Sequence, residues 1–143
     1  MMQARVGQSF GQTASPVARW LDGTLLAAEA GGLTVSFVVR EEMTNPMGIL
    51  HGGISATMMD DVLGATVFSL GSEFFYTTVN LNADYLGSAR AGETITVTTH
   101  VVRQGRNVVH AEAKIHNAAG KLLVKSTSNL LVTSIPTGIK PGQ

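Results

Sequence analysis

Apolar and polar residues alternate with period two over much of the second half of the chain. In "NVVHAEAKIHN", Asn107 to Asn117, the residues Val109, Ala111, Ala113 and Ile115 fall on one face, and His110, Glu112, Lys114 and His116 on the other. This is the pattern of a strand buried on one side of a sheet. "FFYTTVNLNADYL", "TITVTTHVVR" and "KLLVKSTSNLLVT" read as three more strands. Gln104-Gly105 and Ala119-Gly120 supply turns between the last three of the four. Upstream, "TLLAAEA" and "LTVSFVVR" flank Gly31-Gly32 and predict a first hairpin. Ser15-Pro16 has the form of an N-cap followed by proline at the first helical position, which predicts a short helix through Trp20 and Leu21 that stops at Gly23. A long helix is expected from about Gly53 to Leu70. At about 100° per residue, Ile54, Met58, Val62 and Ala65 cover one side of it. Ala56, Met59, Leu63 and Val67 cover much of the other, and Phe68 closes part of the gap, so the helix is expected to be buried nearly all round. One long helix and a run of antiparallel strands give an α+β domain with the sheet wrapped around the helix.

The 143 residues fit one domain. Residues 1–14 are polar and glycine-rich and are expected to be a flexible N-terminal segment. Residues 15–134 form the single domain, and residues 135–143 a loose tail. Net charge is zero, which suggests no polyanionic partner and argues against nucleic acid. Charged residues make up 14% of the chain, against about 25% in an average domain. A surface so poor in charge is expected to be covered in part by another subunit. The absence of cysteine excludes disulfides, thiolate metal sites and a cysteine nucleophile. "MMQARVGQSFGQ" lacks the apolar core of a signal peptide, and no apolar run is long enough to span a bilayer. The expected setting is cytoplasmic, with no membrane partner.

The long helix carries Asp60 and Asp61 side by side. A buried carboxylate costs several kcal/mol unless it is paired or hydrogen-bonded, so the pair calls for partners or a function, although one of the two, Asp61 first, is open to being simply solvated. At the helix start, Gly52 and Gly53 lack side chains, and backbone N–H groups there point outward at the positive end of the helix dipole. Such a donor can hold a carbonyl oxygen as it gains negative charge, an effect of ~10²–10³ in rate. Gly53 and Asp60 lie roughly 10 Å apart along the axis, too far for one chain to bring both to a single carbonyl. Two antiparallel copies of the helix related by a dimer axis would bring Gly52 of one to Asp60 of the other.

"HGGISATMMD", with His-Gly-Gly followed after six residues by Asp, resembles the signature of hotdog-fold acyl-CoA thioesterases of the phenylacetate-pathway (PaaI) type. Asn45 six positions before His51, the strand "TTVNLNADYL" and the "GETI" opening of the next strand fit the same family. The resemblance runs from about Leu33 to Thr133. It implies a hotdog fold, dimers often paired again into tetramers, and acyl-CoA bound at the dimer interface. It implies Asp60 as nucleophile or general base and Gly52 as the backbone donor to the thioester carbonyl. His51 and Asn45 would help to hold the thioester region and a water, and Thr78 stands where relatives have a serine or threonine near the carboxylate. Spacing alone does not separate Asp60 from Asp61, and the doubled aspartate departs from the family pattern.

An aspartate, with a reference pKa of about 3.9, is ionised at neutral pH without help and suits attack on a thioester or activation of water. No cofactor is implied, since coenzyme A is part of the substrate. There is no G-x-S-x-G elbow, which argues against an α/β-hydrolase thioesterase. The basic turn "RQGRN" places Arg103, Arg106 and Asn107 where they would meet coenzyme A phosphates, beside the plain reading of a solvated hairpin. Gly53 and Asp61 join these as substrate-binding candidates. His110, Glu112 and His116 share a solvent face without ligand spacing, so no metal is expected, and His100 reads as a sheet-surface residue. The acyl group is not fixed, although the apolar helix and Phe74–Phe75–Tyr76 suit an aryl or medium-chain group. Two other readings stand beside the thioesterase: a hydratase or dehydratase on the same fold, echoed by Asn45-Pro46 and His51, and a non-catalytic acyl-CoA binding protein.

Overall fold

The computed structural model describes residues 3–11 and 15–140. The short helix α1 spans Pro16–Leu21 and the long helix α2 Gly52–Phe68. Six strands form one antiparallel sheet: β1 Thr24–Glu29, β2 Gly32–Val38, β3 Phe74–Tyr85, β4 Thr94–Gln104, β5 Val108–Asn117 and β6 Leu122–Pro136. Their order is β1-β2-β4-β5-β6-β3. The chain thus leaves β2, runs through α2 and returns on the opposite edge of the sheet as β3. Every segment expected to be a strand is one, and α2 packs on the inner face against β2, β3, β4 and β5. This is the hotdog arrangement of one long helix held in a curled antiparallel sheet.

The local chemistry sets the ends of the helices. Ser15 caps α1 by accepting from the Ala18 amide at 3.2 Å. The helix closes on Asp22, in the left-handed region at φ 55°, one residue before the expected Gly23. Gly23 serves packing instead, since a Cβ there would lie 2.6 Å from the Phe37 ring. Within the segment expected to be flexible, residues 7–10 run along β1. Gly7 donates to the Leu25 carbonyl at 2.6 Å and Phe10 to the Gly23 carbonyl at 2.7 Å, and the Phe10 ring packs on the core. Residues 12–14 and 141–143, also in the expected loose segments, lie outside the described residues. At the other end, β6 continues to Pro136, and Thr137 donates to the Glu73 carbonyl at 2.8 Å.

The expectation of a helix buried all round is corrected. Ser55, Met58, Met59, Val62, Leu63, Thr66 and Val67 are buried, at the three- and four-residue spacing of one helix face. The opposite face, Gly53, Gly64 and Phe68 with half-buried Thr57, Asp60 and Asp61, stays open in the single chain. Six strands curl around only part of the helix surface, so most of the far side has no cover from this sheet, and Phe68 meets it at Phe75 of β3. Two hydroxyls inside the core tie the layers together: Thr66 meets Thr99 of β4 at 2.6 Å, and Thr99 accepts from the Leu33 amide at 3.0 Å.

An irregularity in β3 decides which of its side chains face the helix. Thr78 pairs with Leu130 and Asn80 with Asn129, so Val79 is an extra residue between them. A bulge of this kind resets the alternation of side chains. Thr78 therefore faces inward to α2, while Asn80 faces outward with Asn129.

Candidate active site

The start of α2 is capped by His51. Its Nδ1 accepts from the Gly53 amide at 2.9 Å, so Nδ1 bears the lone pair and a neutral ring carries its hydrogen on Nε2. The Ile54 and Ser55 amides both donate to the His51 carbonyl at 3.0 Å. Of the first four N–H groups of the helix, Gly52 alone has no partner among the described residues. The sequence offered both glycines as ligand contacts, and the geometry separates them. Gly53 gives its amide to the cap, and a Cβ there would come within 3.0 Å of His51 Nδ1. Gly52 presents a free donor at the positive end of a helix of 17 residues.

Gly52 borders a cavity of about 200 Å³ that also involves Asn45, Ser55 and Tyr85, with Ile115 and Leu123 on its apolar side. Asn45 uses its Oδ1 to hold the preceding turn, accepting from the Met47 amide at 3.0 Å and the Ile49 amide at 3.4 Å. That leaves its Nδ2 hydrogens for a ligand. Tyr85 donates from its hydroxyl to the Gly52 carbonyl at 3.0 Å. Sequence reasoning missed Tyr85 and Ser55. The inward alternation of Leu81, Ala83 and Tyr85 was the available signal for the tyrosine.

Asp60 lies eight residues beyond Gly52, about 12 Å along the axis at 1.5 Å per residue. The Thr78 hydroxyl donates to Asp60 Oδ1 at 2.7 Å, and among the described residues it is the one group hydrogen-bonded to that carboxylate. The bond fixes the orientation of the carboxylate. Asp61 has the opposite environment. Its Oδ2 is buried without a partner, and burial first, then the neighbouring Asp60 charge, raises its pKa above the ordinary carboxylate value. The reading of Asp61 as a simply solvated residue is thereby corrected. The paired aspartates are distinguished by their surroundings, one held by a hydroxyl and one pushed toward its neutral form.

Arg103, Arg106 and Asn107 border an open groove of about 630 Å³ with His110 and Asn129, on the outer face of the sheet. The groove lies one residue row from Thr78, on the other side of the sheet, since Thr78 and Val109 both pair with Leu130. Among the described residues no cluster of His, Asp or Glu has the arrangement of a metal site. No described helix is long and apolar enough to cross a membrane.

A curled antiparallel sheet around one long helix, with an open amide at the helix start and a hydroxyl-held aspartate two turns on, places the protein among the hotdog folds. The family model described as the thioesterase superfamily matches residues 47–124, more than half of the chain, and the chain belongs to that superfamily. It is 33% identical over 103 residues to acyl-coenzyme A thioesterase 13 of Homo sapiens, covering 71% of this chain and 74% of that one. Among solved structures, a thioesterase protein of Streptococcus pneumoniae TIGR4 with coenzyme A superposes with a TM-score of 0.75 at 26% identity, over 80% of this chain and 88% of that one. The PaaI protein of the E. coli phenylacetic acid degradation operon shares the fold, with a TM-score of 0.80 at 20% identity over 85% of this chain and 87% of that one. The protein is a thioester hydrolase.

Proposed function

We propose that this chain hydrolyses acyl-CoA thioesters at sites built between two copies of itself. The observation that carries the reading is the free Gly52 amide together with Asp60 fixed by Thr78, two groups that one helix holds about 12 Å apart. In a dimer with antiparallel α2 helices, Gly52 of one subunit polarises the thioester carbonyl while Asp60 of the other works on the same carbon. Asp60 takes a proton from water, whose oxygen adds to the carbonyl. The C–S bond then breaks and the thiolate leaves with the proton. In the alternative, the carboxylate itself adds, the thiolate leaves, and water cleaves the resulting anhydride. Both routes need only a carboxylate and a backbone donor, with no cofactor beyond the coenzyme carried by the substrate. Asn45 Nδ2 and His51 Nε2 serve the thioester region and the water.

Several further features support the substrate class. The Streptococcus pneumoniae relative was solved with coenzyme A, and the human relative is named for acyl-coenzyme A. Arg103, Arg106 and Asn107 offer charge-assisted donors for the coenzyme phosphates. The exposed ring of Phe68 stacks on Phe75 with centroids 5.9 Å apart, beside the open helix face, which favours an aryl or medium-chain acyl group. Thiol release from a panel of acyl-CoAs tests the proposal. Turnover of aryl and medium-chain substrates that Asp60→Asn abolishes in a folded protein is expected. Full turnover by that variant would sink the assignment.

A further inference from the structure

A hydrogen-bonded row crosses the outer face of the sheet through Asn80 on β3, Asn129 on β6 and His110 on β5. Asn80 Oδ1 accepts from the backbone amide of Asn129 at 3.1 Å. A backbone N–H can only donate, so the Asn80 atom is its oxygen. The same oxygen meets the side-chain amide of Asn129 at 3.1 Å, which must therefore be Nδ2. The other amide atom of Asn129, its Oδ1, then faces His110 Nδ1 at 2.8 Å. His110 Nδ1 therefore carries a hydrogen, and in the neutral ring Nε2 has none.

The row ends in the groove of the basic turn. His110 pairs across the ladder with Arg103, and both border the groove with Arg106, Asn107 and Asn129. Among the described residues no carboxylate lines it. A bare Nε2 presents a lone pair that repels an anionic oxygen. With the Nδ1 hydrogen committed to Asn129, a phosphate oxygen at Nε2 requires a second proton on the ring. We propose that His110 is a third ligand of the coenzyme phosphates beside Arg103 and Arg106, and that substrate binding takes up a proton at His110 Nε2. The inference rests on the reading that the basic turn receives the nucleotide end of acyl-CoA.

The surroundings fit a proton taken up on binding. Arg103 on β4 and Arg106 on the turn oppose a charge on the ring while the groove is empty. Glu112, two residues along β5 on the same face, favours it, with His100 of β4 paired across from Glu112. The outward neighbours from β6 and β3 are Asn129 with Thr127 and Asn80 with Asn82, all uncharged. A bound phosphate brings negative charge that offsets both guanidiniums and so stabilises the imidazolium.

The test measures 3′,5′-ADP binding to the whole protein by calorimetry from pH 6 to 8, in buffers of different ionisation enthalpy, for the wild type and His110→Asn. Asparagine keeps an N–H where Nδ1 stood, for Asn129, and has nothing at Nε2. Wild-type affinity is expected to fall about tenfold across this range, with proton uptake beyond that of the ligand's own phosphate. The variant is expected to lose the extra uptake and to bind at pH 6 about tenfold more weakly than the wild type. KM for an acyl-CoA should follow, while KM for the matching acyl-pantetheine thioester, which lacks the nucleotide, stays unchanged. The proton count on the wild type needs no variant, so a misfolded His110→Asn does not rescue the proposal. Binding and uptake that are the same in both proteins would overturn the inference alone. Absence of 3′,5′-ADP binding to the wild type would overturn the phosphate site along with it.

Discussion

Replacing Gly52 with proline removes an amide hydrogen and changes little else. Proline is favoured at the first position of a helix, which is where Gly52 stands in α2. His51 before it is already extended at φ −63°, ψ 131°, the region a residue preceding proline prefers. No helix hydrogen bond is lost, because the Gly52 amide has no partner among the described residues. A Cβ at this position reaches ordinary contact with the Tyr85 ring at 3.4 Å. The variant should fold, and its turnover should fall by about 10²–10³, the effect of one oxyanion donor. Asp60→Asn, alone, should fall by at least as much, since it removes the nucleophile or base. The two groups are about 12 Å apart in one chain, so the reading of a shared site makes a quantitative demand on mixtures. Equimolar variants reassorting at random give about half mixed dimers. Each mixed dimer has one site assembled from two intact halves and one from two defective halves, so about a quarter of wild-type turnover should return. Thiol release reads the rate, and native mass spectrometry of mass-tagged subunits verifies exchange. Verified exchange with no recovery would place the whole site within one chain, and undiminished turnover by Gly52→Pro would remove the amide from the mechanism.

Asp61→Asn should stabilise the protein near neutral pH. The folded-state pKa of Asp61 is raised, by burial first and by Asp60 second, so its favourable contribution is full below the unfolded value and lost as pH rises through the folded one. Relief of about 1 kcal/mol at pH 7 corresponds to a melting temperature higher by ~2–4 °C, a gain that should shrink toward pH 4; a uniform or opposite shift would contradict the buried, unpartnered oxygen. Arg106→Ala should raise KM for acyl-CoA about three- to tenfold with a smaller change in kcat, less so at high salt. Equal losses on an acyl-pantetheine thioester would show that the arginine acts through the fold rather than on the phosphates.

The sequence by itself determined the elements and most of their chemistry. Period-two alternation marked the strands of the second half because a sheet covered on one face imposes it directly on the residues, and Gly31-Gly32 between two apolar runs marked the first hairpin. Ser15-Pro16 marked the start of α1 because capping is a local event, settled by a side chain and an amide three residues away. The motif from His51 to Asp60 was legible for the same reason, since its spacing lies within one helix. What the tertiary structure alone decided depends on residues far apart in sequence or on the path of the sheet. The burial of α2 was overestimated because composition counts apolar residues, whereas the curl of six strands decides which of them are covered. Gly52 and Gly53 are equivalent in sequence, and only the turn of the His51 ring onto the Gly53 amide left Gly52 as the free donor. Asp60 and Asp61 are likewise adjacent and alike. A contact with Thr78, 18 residues away, and a bulge at Val79 that turns Thr78 inward gave one a partner and left the other with a buried bare oxygen. The same bulge turned Asn80 outward and built the row that fixes the hydrogen on His110. Such choices depend on how distant strands register against one another, and local pattern carries no record of that register.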